Sequence, residues 1–505
     1  MAYHPAATES SGVRSQLNFL TSENPKLELR PYERKALLRK IRTLENYSGL
    51  VTRATHGTAG YVVGSGINPI PNTKDPEFNE RVAKAWRSWS TNAGVCDRSG
   101  RMTIADLQLS LAAGEMRDGE GFVAFQRSAR GIPQFLNIDP LFIGAGFSEK
   151  NLNAYDGVRT DNAGRVTGYE VNTGATKPIR GSGLNSFKTD SKFFPRNQIL
   201  HLIDYRKAHS LRGKSCLHSA LNNIHDLVDL ISLEKQATKT HQSLAVHVKK
   251  TDTSGFSLKN SFDSVEAEMM ADGGTDEQYK NKAGKASVPG ATVIDDDKID
   301  DVKLLSSNRP NANLTDFYEL IVREIACASG YPFEFLWNIS SVGGAPARYI
   351  LADAYVTIVQ KQRLLTRQIM FPLYRWWLAS MMKAYRETNG AIGIEPGPDE
   401  WWSVQWQYPA KATMDIKHDG KQMIELLKHG LTTETAIFEG AGLSRSEQVD
   451  LRIEEIAEVL TKCEAKGIDP EYYYQHLFKN LTSQGSTPEE PNQPTNQQNN
   501  NQNVS

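Results

Sequence analysis

NLTDFYELIVREIACASGYPFEFLWNISSVGGAPARYILADAYVTIVQKQRLLTRQIMFPLYRWWL, residues 313–378, decides the fold. Leu314, Phe317, Ile321, Ile325 and Ala328 recur at helical spacing and predict a helix over about 314–329, with Asn311 or Asn313 placed to cap its start. YPFEFLWNISSVGGAPAR breaks the pattern. A longer helix begins near Ala347, with Leu351, Ala354, Ile358, Leu365 and Ile369 on one face. Pro372 lies inside that pattern and should kink it, because a proline lacks the amide hydrogen and crowds the preceding turn. The helix then resumes through LYRWWLASMMKAYRE.

Upstream of this stretch, Leu217, Leu221, Ile224, Val228 and Ile231 predict a helix over 214–243, about 45 Å long if continuous. Residues 30 to 213 read as mixed α/β. Helices are expected from Pro31, through FNERVAKAWRSWST with Val82, Trp86 and Trp89 on one face, and through TIADLQLSLAAGEMRDG. GFVAFQR, PQFLNID, GRVTGYEV and NQILHLI read as strands separated by turn residues, DNAGR among them. The glycines of GTAGYVVGSGINP are expected to mark a turn between strands. Downstream, WWSVQWQY reads as a strand and 412 to 480 as helices, with Gly430 and Gly467 at C-cap positions. The fold class is α+β, predominantly helical.

Composition narrows the function. The 505 residues carry 58 basic and 59 acidic side chains, a formal net charge of -1. A protein that coats nucleic acid by charge alone is usually strongly basic, so any such contact here is local. The four cysteines, Cys96, Cys216, Cys327 and Cys463, form no C-x-x-C pair and are expected to be small buried residues. The N-terminus lacks the charged and apolar regions of a signal peptide. The most apolar run, around Ile369 to Met382, is interrupted by Pro372 and Arg375, so no membrane partner is expected. The tail from 482 to 505, rich in Pro, Gln, Asn and Ser, is expected to be disordered.

Catalytic signatures are missing. There is no G-x-x-x-x-G-K-[ST] loop, no G-x-G-x-x-G and no H-E-x-x-H. His201, in the apolar run ILHLI, reads as a packed core residue, and His218, His225 and His241 are spaced too widely for a ligand pair on adjacent turns. No enzyme activity, metal or cofactor is expected. Asp295, Asp296 and Asp297 offer carboxylates to a hard cation, but adjacent side chains rarely converge, and a solvated acidic loop is the favoured reading. Two charge patterns stand out. Residues 354–386 hold Lys361, Arg363, Arg367, Arg375, Lys383 and Arg386 with no acid among them, which suits either phosphate contact or ion pairing with acidic neighbours. Residues 251–301 hold twelve acids against five lysines, either a solvated loop or a docking surface.

The order of these elements resembles the portal proteins of tailed bacteriophages, in particular the lambda-type family. The resemblance is carried by NAGVCDRSGRMTIADLQLSLAAGEMRDGEGFV, PQFLNIDPLFI, GVRTDNAGRVTGYEV, FFPRNQILHLIDYRKAHSLRGKSCLHSAL and the 313–378 stretch, and it touches most of the chain from about 85 to 390. It implies a virion protein assembled in the bacterial cytoplasm, a homo-oligomeric ring of about twelve copies at a capsid vertex, through which double-stranded DNA is packaged and ejected. On that template residues 1–29 are a flexible arm, 30–213 the wing, 214–243 and 311–330 the paired stem helices and 244–310 the clip. Residues 331–411 are the tunnel loop, long wing helix and returning strand, 412–481 the crown and 482–505 the tail.

The same resemblance suggests site residues. Ser340, Ser341, Val342, Gly343, Gly344, Ala345 and Arg348 are the channel-facing candidates, Lys361, Arg363 and Arg367 the basic helix candidates, and Asp295, Asp296 and Asp297 the clip docking candidates. The implied partners are the terminase large subunit, the major capsid or scaffold protein, and head-completion or tail connector proteins. A near-neutral chain fits a DNA conduit, since dense positive charge would grip the cargo. The alternative is a minor capsid or head-completion protein without a channel. An α/β enzyme would need a convergent catalytic set, and a DNA-binding regulator a reading module; neither has a motif here.

Overall fold

The computed structural model describes residues 30–144, 154–178, 187–208, 210–243, 314–339, 342–411, 416–443 and 445–473. The expected caps Asn311 and Asn313, the terminal arm and tail, and the region 244–310 lie outside the described residues. The chain divides into two compact units, Met1–Asp419 and Gly420–Ser505. Helices dominate, with short antiparallel sheets, as expected for the α+β class.

The first unit opens with α1 (Pro31–Tyr47), which buries Leu37, Leu38 and Ile41, and continues into α2 (Gly49–Thr52). A π-helical turn, Arg53–Gly57, leads into α3 (Thr58–Val63). The expectation of a turn between strands at GTAGYVVGSGINP is therefore corrected: Gly57 and Gly60 lie in helical backbone, and only Gly64 and Gly66, at φ +52° and +120°, make a turn. Packing explains the difference, since Val51, Ala54, Ala59, Val62 and Val63 bury one helical face.

After that turn comes β1 (Asn68–Pro71), a strand not expected from the sequence. It pairs antiparallel with β9 (Val404–Gln407), far along the chain. α4 (Pro76–Ser90) is capped by Asp75, whose carboxylate accepts from the Phe78 amide at 3.1 Å. The short α5 (Ala93–Cys96) precedes α6 (Ile104–Asp118), which starts with a Thr103–Asp106 capping box and ends at Gly119, φ +85°.

Two sheets follow. In the first, β2 (Glu120–Arg127) lies between β3 (Pro133–Ile138) and β8 (Ile199–Ile203), with Phe122 opposite both Ile138 and His201. The second runs in the order β4 (Ala154–Tyr155), β5 (Val158–Thr160), β6 (Val166–Pro178), β7 (Phe187–Pro195). The β5–β6 turn is the DNAGR segment, where the Asp161 carboxylate accepts from the amides of Ala163 and Arg165.

The helix expected over 214–243 begins later, as α7 (Leu221–Ser243). A 3₁₀ turn at Cys216–His218 precedes it, capped by Ser215. α8 (Leu314–Ser329) buries Ile321, Val322, Ile325 and Ala326, whereas Phe317, expected on the packed face, is 54% exposed. Cys327, on the same helix, is likewise exposed rather than buried; the other three cysteines are buried as expected. α9 (Phe333–Leu336) leads to α10 (Ala345–Leu365), which buries Ala354, Ile358 and Leu365. A second π-helical turn, Thr366–Met370, joins α10 to α11 (Phe371–Glu387). The irregularity expected at Pro372 is thus met by a change of helical register in the turn before it. Trp86 and Trp89 of α4 pack against Tyr374 and Trp377 of α11, with Trp86 edge-on to Trp377 at 5.0 Å.

The second unit begins within α12 (Ile416–Lys428) and holds α13 (Glu434–Gly440) and α14 (Arg445–Lys466). Gly430 and Gly467 follow α12 and α14 at φ +67° and +64°, the expected left-handed caps.

Candidate channel loop and the helix behind it

α8 ends at Ser329, and Gly330 at φ +77° turns the chain towards the buried Tyr331. Trp337 is half exposed, and beyond it the Val342 amide donates to the Ile339 carbonyl at 3.2 Å. Ser340 and Ser341 lie outside the described residues. Gly344 sits at φ +68°, where a side chain would be strained, and a methyl group built at Gly343 or Gly344 meets nothing within 4 Å. The two glycines are exposed, Val342 is half-buried and Ala345 begins the helix. The first turn of α10 holds Pro346 and no acid, and the exposed Arg348 follows, so the positive end of the helix and a guanidinium share one locality. Tyr349, 80% exposed, stands beside them.

The other end of α10 is fixed. Lys361 Nζ lies 2.7 Å from Glu115 Oε1, both largely buried, with Asp204 at 4.0 Å. The Gln362 side-chain amide donates to the Val62 carbonyl at 3.0 Å. Gln368, in the π-helical turn, holds the edge of β8: it accepts from the Ile203 amide at 2.8 Å and donates to the Ile203 carbonyl at 3.0 Å. Nearer the loop Ala347 is fully buried, Leu351 packs against the core, and Thr357 Oγ1 donates to the Gly330 carbonyl at 2.8 Å. α10 is therefore anchored in the first unit's core along its length, and the glycine loop precedes its first turn.

The basic residues of 354–386 do not act as one group. Lys361 is engaged with Glu115, Lys383 lies 3.4 Å from Glu387, and Arg375 packs over Phe371 and Trp402. Arg363 and Arg367 are exposed and line an open groove of about 680 Å³ walled by Phe371, Trp406 and Tyr408. Asp295, Asp296 and Asp297 fall outside the described residues.

A buried ionic cluster that the sequence reading passed over braces the two sheets. Arg34 of α1 contacts Asp156 and, at 3.3 Å, Glu120. Arg212 meets both Glu120 oxygens and donates to the Pro140 and Ile143 carbonyls. His201 Nε2 lies 3.2 Å from Glu120 and the ring stacks on Phe122 at 4.2 Å. Burial alone would raise the Glu120 carboxyl, but the charge of Arg212, the His201 hydrogen bond and the charge of Arg34 outweigh it and hold it well below the usual carboxylate range. Burial lowers His201, with Glu120 opposing. A glutamate opening the apolar strand EGFVAF and a histidine within ILHLI were the available signals: apolar strands tolerate such residues only when they are paired.

Among the described residues no group of three or more His, Cys, Asp or Glu could hold a metal ion, and no helix is long and apolar enough to cross a membrane. What these residues build is a braced framework with an exposed glycine loop ahead of a packed helix, and the comparisons define the class as phage portal protein. The match is to the family described as "Phage portal protein, lambda family", over residues 15–353, more than half of the chain. The chain belongs to the lambda family of phage portal proteins, whose role is structural. No curated protein matches it. Among solved structures it is similar to a chain of the virion of a native gene transfer agent particle, at 13% identity and a TM-score of 0.41, covering 81% of this chain and 93% of that one. It is also similar to a chain of the neck of a native gene transfer agent particle computed with C12 symmetry, at 13% identity and a TM-score of 0.40, covering 82% and 94%. An HK97 family phage portal protein from Corynebacterium diphtheriae matches at 11% identity and a TM-score of 0.27, covering 71% and 93%.

Proposed function

We propose that this portal protein closes into a ring of about twelve copies at a capsid vertex and forms, without catalysis of its own, the passage for double-stranded DNA during packaging and ejection. The loop 340–346 with Arg348 lines the narrowest part of the passage. The observation that carries this reading is the contrast between α10, held through Lys361 and Gln362 and, in the turn after it, Gln368, and the glycine loop before it, with open space around Gly343 and Gly344. A loop that must slide along passing phosphates needs small, compliant residues and few charges, because each tight cation–phosphate contact holds the cargo. Residues 244–310 supply the docking end for the terminase large subunit and later for head-completion or tail connector proteins, while the wing meets the major capsid or scaffold protein. The particle is assembled in the host cytoplasm and stays in the virion.

Light scattering on the purified protein, with negative-stain images of the same sample, tests the ring. The subunit mass is 56.2 kDa, so about twelve copies give a particle of about 670 kDa with a central hole. A stable small oligomer without a hole would overturn the reading.

A further inference from the structure

The second unit has helices but almost no interior. In α14 the residues Val449, Ile453, Ile456, Leu460 and Cys463 recur at alternating four- and three-residue spacing, the seam of a helix made to pack against another helix. Of these, Ile453 is 59%, Ile456 40% and Leu460 39% exposed. In α12, Ile424 is 54% and Leu427 37% exposed one turn apart, and Leu431, 74% exposed, follows the left-handed Gly430. Among the unit's described residues only Cys463 is a buried apolar side chain. A helix of 13 residues is marginal in water by itself, and helices in proteins draw most of their stability from packing an apolar face. Helices that leave their apolar faces to solvent cannot offset the entropy of ordering them, so these stripes are built to be covered.

We propose that the cover is a second copy of this chain: α12 of one subunit seats its Ile424–Leu427–Leu431 stripe in the Ile453–Ile456–Leu460 seam of α14 on the next subunit. Two observations select that occupant. Both stripes are apolar and lie on helices, with Leu431 just past the end of α12, so the ridge of one suits the groove of the other. Their charges are opposite in sign: α12 carries three lysines against two acids, and α14 six acids against four bases. Because the two faces differ, the contact is head-to-tail, and every copy offers one face of each kind; such an interface closes into a ring or continues as a filament. The inference rests on the ring reading above and adds to it an interlocked helical belt from residues 416–473.

Full-length protein carrying Cys327→Ser, to remove the exposed native thiol, tests it. Ile424→Cys is combined in turn with Ile453→Cys, Ile456→Cys or Leu460→Cys, and the assembled particle is treated with a short bismaleimide, which adds one thiol at each end. At least one pair should yield a ladder of covalent multimers on a denaturing gel. A product confined to single chains would show that the two stripes cover each other within one subunit and would overturn the proposal. A particle of ring mass giving no intermolecular product with any of the three pairs would overturn it while leaving the ring intact. A chain that stays monomeric at every concentration would overturn both. As a check on the contact itself, Ile453→Gln with Leu460→Gln should make residues 416–473 markedly more protease-sensitive in the assembled particle. Unchanged resistance would also count against it.

Discussion

Arg212 lies across the Glu120 carboxylate, its Nε 3.0 and 3.1 Å from the two oxygens, and the Gly213 amide donates to the same group at 2.9 Å. Two close-packed glycines permit this approach. A methyl group built at Gly213 would sit 2.0 Å from the Gly119 carbonyl oxygen, and one at Gly119 would sit 2.2 Å from the Lys214 carbonyl carbon. The segments DGEG and RGK are thus pressed backbone to backbone, and the pair at their junction ties α6 and β2 to the loop after β8.

Arg212→Ala should lower the unfolding free energy by about 3 kcal/mol, the order seen when a buried ion pair is broken, with Arg34 at 3.3 Å left to hold Glu120. Arg212→Lys should recover little of it, because an ammonium cannot span Glu120 and the carbonyls of Pro140 and Ile143 together. Urea unfolding followed by tryptophan fluorescence reads both. An unchanged midpoint in the alanine variant would show that the cluster does not brace the fold.

The same cluster makes acid sensitivity predictable. His201 has its pKa lowered by burial, from an ordinary value of 6.5. As pH falls below about 6.5, the unfolded chain takes up a proton that the folded chain refuses, and stability declines. Glu120 is also held low, so its contribution is complete above about 4.5 and is lost as pH drops further. Wild-type Tm should therefore fall in two stages. His201→Gln should remove the upper stage and keep the lower one. A single, identical profile in both proteins would exclude His201 as the source.

The contrast between what was legible and what was not follows from the range of the interactions. Helices α4, α6, α8 and α10 show in the sequence because each buries a stripe at 3.6-residue spacing, visible in residues such as Trp86, Leu107, Ile325 and Ile358. β1 did not show: four residues with two prolines acquire strand geometry only from β9, more than 300 positions later. The 51–63 helical run was obscured by glycines that tertiary packing overrides. At the candidate site, the small-residue loop and the basic helix were both visible. The division of labour within that helix was not, because Glu115, the partner of Lys361, is set by the fold rather than by neighbouring sequence.

Deleting residues 341–345 should leave the particle's mass and appearance unchanged while reducing packaged or retained DNA severalfold. α10 keeps its anchors through Gln362 and Gln368, so the loop can be shortened without unseating the helix. Wild-type packaging by the deletion variant would remove the loop from the proposed passage.

Reversing Asp295, Asp296 and Asp297 to lysine should weaken binding of the terminase large subunit or a connector protein by about tenfold or more, if three attractive contacts are converted to repulsion. The measurement is binding of the purified partner to assembled rings. Equal affinity would return the triplet to the solvated-loop reading.

The basic residues of α10 and the turn after it divide into two experimental classes. Lys361→Gln removes the ammonium paired with the buried Glu115 and should lower stability by about 3 kcal/mol, with any loss of DNA following from the damaged fold. Arg363→Gln and Arg367→Gln remove exposed side chains and should leave Tm within about 1 °C of wild type, since surface changes alter stability little. If these two arginines meet phosphate, their removal should flatten the salt dependence of DNA retention, because each cation lost is one fewer counterion released on contact. If they meet a neighbouring subunit instead, the salt dependence of ring assembly should change and DNA retention should not. Measuring both quantities across a salt series on the same variants separates the two outcomes, and no change in either would leave Arg363 and Arg367 as solvated surface.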